Sequence, residues 1–244
     1  TIHEVGHNFF PMIINSDERE WTWMDEGLNS FVQMLAQMDY EKDYPLSRGL
    51  PKNIVGYMKG DQSKLTPIMT QGDHIFEFSN NAYAKPAAGL WMLRNTIMGP
   101  ELFDHAFKTY AQRWAFKHPT PMDFFRAMED GAGEDLGWFW RAWFYELWKL
   151  DQSVKDVDYV EQDPAKGAVI TIENLDKMAM PAVVEVELTS GEKERFTFPV
   201  EIWQRGSSWT FRTSTKLPIK SVVIDPDHSF PDMDSKNNTW KPLS

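Results

Sequence analysis

The chain opens on Thr-Ile-His-Glu-Val-Gly-His, and two of these residues are spaced for metal chemistry. On a helix, His3 and His7 stand one turn apart on the same face, so both imidazoles can reach one ion while Glu4 projects beside them. This pattern suits zinc. Two histidines leave such an ion under-coordinated, so a third protein ligand is needed, and a hydrolytic site then keeps its fourth position for water. The candidate is Glu26 in Trp23-Met24-Asp25-Glu26-Gly27. Eighteen residues separate it from His7, enough for the chain to leave one helix, turn and return on a second. A metal lowers the pKa of a bound water to about 7, and Glu4 is spaced to take its proton as it attacks a carbonyl carbon. The tetrahedral oxyanion so formed calls for a further donor. Tyr83 is the candidate, read as sitting just ahead of a helix whose first turn is set by Pro86.

Each of these readings has a plainer rival. A surface helix can carry His-Glu-Val-Gly-His by chance, although a glutamate at the right distance in a Trp-x-x-Glu-Gly setting weighs against that. Tyr83 reads equally well as a tyrosine packing at a helix start. Asn29 and Ser30, one turn past Glu26, read either as partners orienting a metal ligand or as helix-face polar residues meeting solvent. His74, His105, His118 and His228 stand at no ligand spacing and read as surface residues, as does the acidic run 15–20. The aromatic run 137–148 reads as core and domain-interface packing and not as a ligand site.

Helices must position these groups, and the first part of the chain is patterned for helices. Leu28, Phe31, Val32, Leu35 and Met38 recur at three- and four-residue steps, as do Leu102, Phe103, Ala106, Phe107, Tyr110 and Trp114. Thr120, Pro121 and Asp123 give a third helix its cap, its first residue and its acidic first turn. Residues 43–73, rich in Gly and Pro, read as a loop with one short helix. After Lys149 the pattern changes to two-residue alternation with β-branched and aromatic enrichment in 167–175, 182–191, 194–214 and 220–227. The expected fold is mainly α followed by all-β. A helical catalytic domain spans 1–150, and a small antiparallel β-sandwich spans 151–244.

Composition narrows the function classes. A net charge of −11 without a dense Lys/Arg tract argues against binding nucleic acid or an anionic membrane. No run of eighteen apolar residues reads as a transmembrane span. With no cysteine, any metal must be held by His, Asp or Glu.

The motifs together resemble the gluzincin metallopeptidases of the aminopeptidase N type, which include the leukotriene hydrolase enzymes. His3-Glu-Val-Gly-His7, eighteen residues and Glu26-Gly27 are similar to that family's zinc signature, and Ala82-Tyr83-Ala84-Lys85 is similar to its Tyr-x-Lys segment. The resemblance implies a thermolysin-like helical subdomain followed by a β-sandwich. It implies zinc ligation by His3, His7 and Glu26, Glu4 as general base, Tyr83 as donor to the tetrahedral intermediate, and peptide substrates. Pro86 departs from the glycine that relatives commonly carry there. The family's Gly-x-Met-Glu-Asn stretch, which holds a substrate's amine, does not occur in this sequence. The expectation is therefore a piece of a longer parent chain whose preceding part recognises substrate, with His3 the least securely held ligand. Aminopeptidase activity is the leading expectation. A related endopeptidase or epoxide hydrolase, or a non-catalytic scaffold on the peptidase fold, stands as the alternative.

Overall fold

The computed structural model describes residues 1–46 and 48–242. Ser47, inside the stretch expected as a loop, and the last two residues of the expected β domain lie outside the described residues. The chain divides into two compact units, Thr1–Leu147 and Trp148–Ser244. The first is helical and the second is built of antiparallel sheets, the mainly-α then all-β order that the periodicities imply.

In the first unit, α1 (Ile2–Gly6) runs into wide turns at Asn8–Ile13 that break at Phe10 and Pro11. The helix α2 (Leu28–Tyr40) continues directly from a π-type turn at Trp23–Gly27. A short α3 (Pro51–Met58) falls in the loop-rich stretch. The helix α4 (Lys85–Met92) is flanked by π-type turns at Ser79–Ala84 and Leu93–Ile97. Next come α5 (Pro100–Trp114), α6 (Pro121–Ala132) and α7 (Gly137–Trp140), the last running into a wide turn at Arg141–Tyr145. The cap of α6 forms as its residue types dictate: the Asp123 carboxylate accepts from both the N–H and the hydroxyl of Thr120, each at 2.8 Å.

One expectation is corrected here. Tyr83 does not precede its helix but lies inside it, because the helical run begins at Ser79. Pro86 has no N–H to offer the carbonyl four residues back, so the turn ahead of it widens instead of starting afresh.

The core of this unit is aromatic, and it grips the two helices that carry Glu26 and Tyr83. Trp23 stacks on Phe125 with ring centroids 5.8 Å apart and meets Phe144 edge-on at 4.7 Å. Trp143 donates its indole N–H to the Lys85 carbonyl at 2.8 Å and lies against Gly89 so closely that a Cβ there would sit 2.4 Å from the indole nitrogen. The run 137–148 thus supplies Phe139, Trp140, Trp143 and Phe144 to this core.

The second unit contains β1 (Gln152–Tyr159), β2 (Ala168–Asn174), β3 (Ala182–Leu188), β4 (Lys193–Phe198), β5 (Ser208–Thr213), β6 (Ile219–Ile224) and β7 (Thr239–Trp240). They form two sheets of order β1-β2-β5 and β4-β3-β6-β7, with antiparallel pairing throughout. Strict alternation in β2 and β3 turns Ala168, Ile170, Ile172, Val184 and Val186 into one apolar core shared with Val222 and Ile224 of β6.

Candidate active site

A helix of five residues that buries none of them cannot stand by itself; α2 holds α1 in place. The Asn29 side-chain amide donates to the His3 carbonyl at 2.8 Å. Gly6 permits this approach, since a Cβ at that position would lie 1.8 Å from Asn29 Oδ1. Asn29 and Ser30 are both buried, so neither is the solvent-facing residue of the plainer reading. His3 Nδ1 stands 3.0 Å from Gln33 Oε1, an acceptor suited to hold the ring hydrogen on Nδ1 when Nε2 is given to a metal. His7 Nδ1 stands 2.9 Å from the Phe10 carbonyl and 2.8 Å from Asp25 Oδ1, with the same effect on its tautomer. His3, expected to be the least secure ligand, is tied to α2 through both its ring and its carbonyl.

The Nε2 atoms of both rings face one carboxylate. Glu26 Oε2 lies 3.0 Å from His3 Nε2 and 3.5 Å from His7 Nε2, and the three residues offer ligand atoms all within 4.8 Å of one another. Ligand atoms about 2.0–2.1 Å from one tetrahedral ion stand about 3.3 Å apart, so the observed spacings fit a metal of zinc's size. Among the described residues this is the one His/Asp/Glu group so arranged. His74, His105, His118 and His228 are exposed.

Electrostatics in the site follow from burial and crowding of acids. Burial, reinforced by the Glu26 charge, pushes Asp25 up to about 7 against the pull of His7. Burial draws His7 down, but the Phe10 carbonyl and the charges of Asp25, Glu26 and Glu4 outweigh it, and the ring ends above its ordinary value. Burial, and then Glu26, raise the Tyr83 phenol well above its ordinary value, with Arg48 opposing. The phenol is therefore a hydrogen-bond donor across the whole physiological range. Its ring stacks on His3 with centroids 5.8 Å apart.

All five residues singled out in the sequence line a cavity of about 490 Å³. Part of its lining is a polar stripe on α2 and the turn before it, Glu26, Ser30, Gln33 and Gln37, at the four-three-four spacing of one helix face. Arg48 reaches in from the segment between α2 and α3. Gln33, Asp25, the Phe10 carbonyl and Arg48 are the members that sequence reasoning misses. The stripe counted forward from Glu26 would have found Gln33.

Residues 1–143 match the Peptidase family M1 domain. The chain belongs to peptidase family M1. Among curated M1 relatives, aminopeptidase M1-A of Oryza sativa subsp. japonica is 24% identical over 146 residues, covering 58% of this chain and 16% of the relative. Glutamyl aminopeptidase of Sus scrofa is 25% identical over 166 residues, covering 66% of this chain and 18% of the relative. The Homo sapiens glutamyl aminopeptidase is 29% identical over 136 residues, covering 53% and 14% respectively. The chain thus spans less than a fifth of the length of these relatives. The crystal structure of Legionella pneumophila aminopeptidase A in complex with aspartic acid superposes with a TM-score of 0.65 at 14% identity, covering 94% of this chain and 26% of that one. At that identity the likeness is one of fold.

Proposed function

We propose that the chain carries the metal-binding and proton-transfer side of an M1 aminopeptidase site, hydrolysing peptide bonds to remove amino-terminal residues. The observation that carries this reading is the convergence of His3 Nε2, His7 Nε2 and Glu26 Oε2 in the cavity that also receives Glu4 and Tyr83. Preference for the amino-terminal residue rests on family membership and on relatives that are themselves aminopeptidases.

In this reading His3, His7 and Glu26 hold zinc, which when bound supplies Lewis acidity that polarises the scissile carbonyl and acidifies the attacking water. Glu4 takes the proton of that water as its oxygen joins the carbonyl carbon, and returns it to the leaving amine as the carbon–nitrogen bond breaks. Tyr83 donates its phenolic hydrogen to the oxyanion that forms between these steps. Gln33 and the Phe10 carbonyl hold the histidine rings with Nε2 turned inward.

The test separates base from ligand. Glu4→Gln is expected to bind zinc at wild-type stoichiometry while turnover of an alanyl peptide falls about 10²–10⁴-fold. A Gln variant that turns over like the wild type removes Glu4 as the base. Full-length protein that binds zinc stoichiometrically yet cleaves nothing favours the scaffold alternative.

A further inference from the structure

The mechanism uses four of the five charged or metal-ligating side chains that line the cavity; the fifth is Arg48. Its position is built. Gly49, the next residue, is buried with φ +81, and a Cβ there would lie 2.4 Å from Met34 Sδ and 3.1 Å from Ala87 Cβ. Met34 belongs to α2 and Ala87 to α4, so a glycine wedged between the two site helices fixes where the Arg48 stem emerges. Its guanidinium carbon lies 5.3 Å from the centroid of the Tyr83 ring, a face contact that orients the planar group. Among the described residues no carboxylate stands within ion-pair distance of it. The guanidinium, exposed and lining this cavity and a neighbouring one, offers a rigid fork of N–H donors of the kind that takes a carboxylate by two parallel bonds.

We propose that Arg48 is a specificity residue that binds a carboxylate of the peptide substrate. That group is either an acidic side chain or the free carboxyl terminus of a short peptide. The proposal rests on the peptidase reading of the same site and extends it to the chemistry of the substrate. Because Arg48 stands one ring's width from the donor to the oxyanion, the carboxylate it binds belongs to a residue within about two positions of the scissile bond, at about 3.5 Å of extended chain per residue.

Three peptides separate the sources: Glu-Ala-Ala-amide carries only the side-chain carboxylate, Ala-Ala-Ala only the terminal one, and Ala-Ala-Ala-amide neither. Arg48→Gln in the zinc-loaded protein is expected to lower kcat/KM for at least one carboxylate-bearing peptide tenfold or more relative to the amide. The loss should lie in KM, and Arg48→Lys should restore part of it. Loss on Glu-Ala-Ala-amide assigns the side chain, and loss on Ala-Ala-Ala assigns the terminus. Equal loss on all three peptides, expressed in kcat, would overturn the proposal and make Arg48 a support for Tyr83; no loss on any overturns it as well. Calorimetric binding of the same peptides in a Glu4→Gln background gives a second arm independent of turnover. If the full-length wild type cleaves none of the three, the peptidase reading fails. The proposal is still decided by whether Arg48→Gln weakens a carboxylate peptide tenfold more than the amide.

Discussion

Gln33 shows what a single neutral side chain can do for a candidate metal site. Its carbonyl oxygen, 3.0 Å from His3 Nδ1, dictates which imidazole nitrogen keeps its hydrogen, and a leucine of similar bulk would free the ring to rotate and change tautomer. Gln33→Leu is expected to weaken zinc binding about 10–100-fold in a competitive chelator titration, with the far-ultraviolet dichroism unchanged. Wild-type affinity would mean that α1 alone orients His3. At this scale the sequence was legible where chemistry depends on side-chain type at fixed helical spacing. His3, Glu4, His7 and Glu26 are visible as a pattern, and Gln33 continues the stripe of Glu26 and Ser30. The acceptor at Phe10 is a backbone atom that any residue could supply, and Arg48 sits in a segment with no period to count along. Both were therefore illegible.

Between elements, the crossing of the Glu26 and Tyr83 helices is a close approach against rigid atoms. A Cβ on Gly27 would lie 2.6 Å from Pro86 Cβ and 3.0 Å from the Ala82 carbonyl oxygen, a ring and a backbone that have no rotamer to escape into. Alanine ordinarily stabilises a helix interior by about 0.5–1 kcal/mol over glycine. Here Gly27→Ala is expected to cost about 1–3 kcal/mol through overpacking, read as a melting temperature at least about 3 °C lower. A variant that melts higher would show the crossing to be looser than drawn. Periodicity located α2 and α5 because each buries one stripe, cap residues located α6, and strict alternation located β2 and β3. It could not see that the helix of Tyr83 begins at Ser79, since a π-type turn has no apolar signature of its own. It also missed β1, where Lys155-Asp156-Val157-Asp158 interrupts the alternation with charges and a register shift between Val154 and Asp156.

Across the whole first unit, the heavy aromatic content forms one core that holds both site helices by an indole, and it closes over a cation. Lys85 is fully buried, its ammonium 5.3 Å from the Trp143 ring centroid, and burial pulls its pKa down from 10.5 to about 8. A lysine depressed on folding contributes stability above its unfolded pKa that is lost as pH falls through the folded one. Wild-type protein therefore bears the full penalty of the buried charge below pH 8 and sheds it between about pH 8 and 10.5. Lys85→Met is expected to be more stable than wild type by up to about 3 kcal/mol at pH 7, with the difference shrinking towards pH 10 in urea titrations. A difference that grows with pH would reverse the assignment.

The polar stripe on α2 has one more consequence. From Glu26 to Gln37 the helix rises about 16 Å, the reach of about five residues of extended chain. A peptide backbone lying along it would meet a graduated rule with its zero mark at Glu26 and a last graduation at Gln37. In a series of peptides of increasing length, kcat/KM is expected to climb with each residue up to about five and then level off. A climb continuing past eight residues would mean that longer chains are gripped elsewhere. A plateau would make the pitch of this helix the gauge by which the proposed site tells short peptides from long ones.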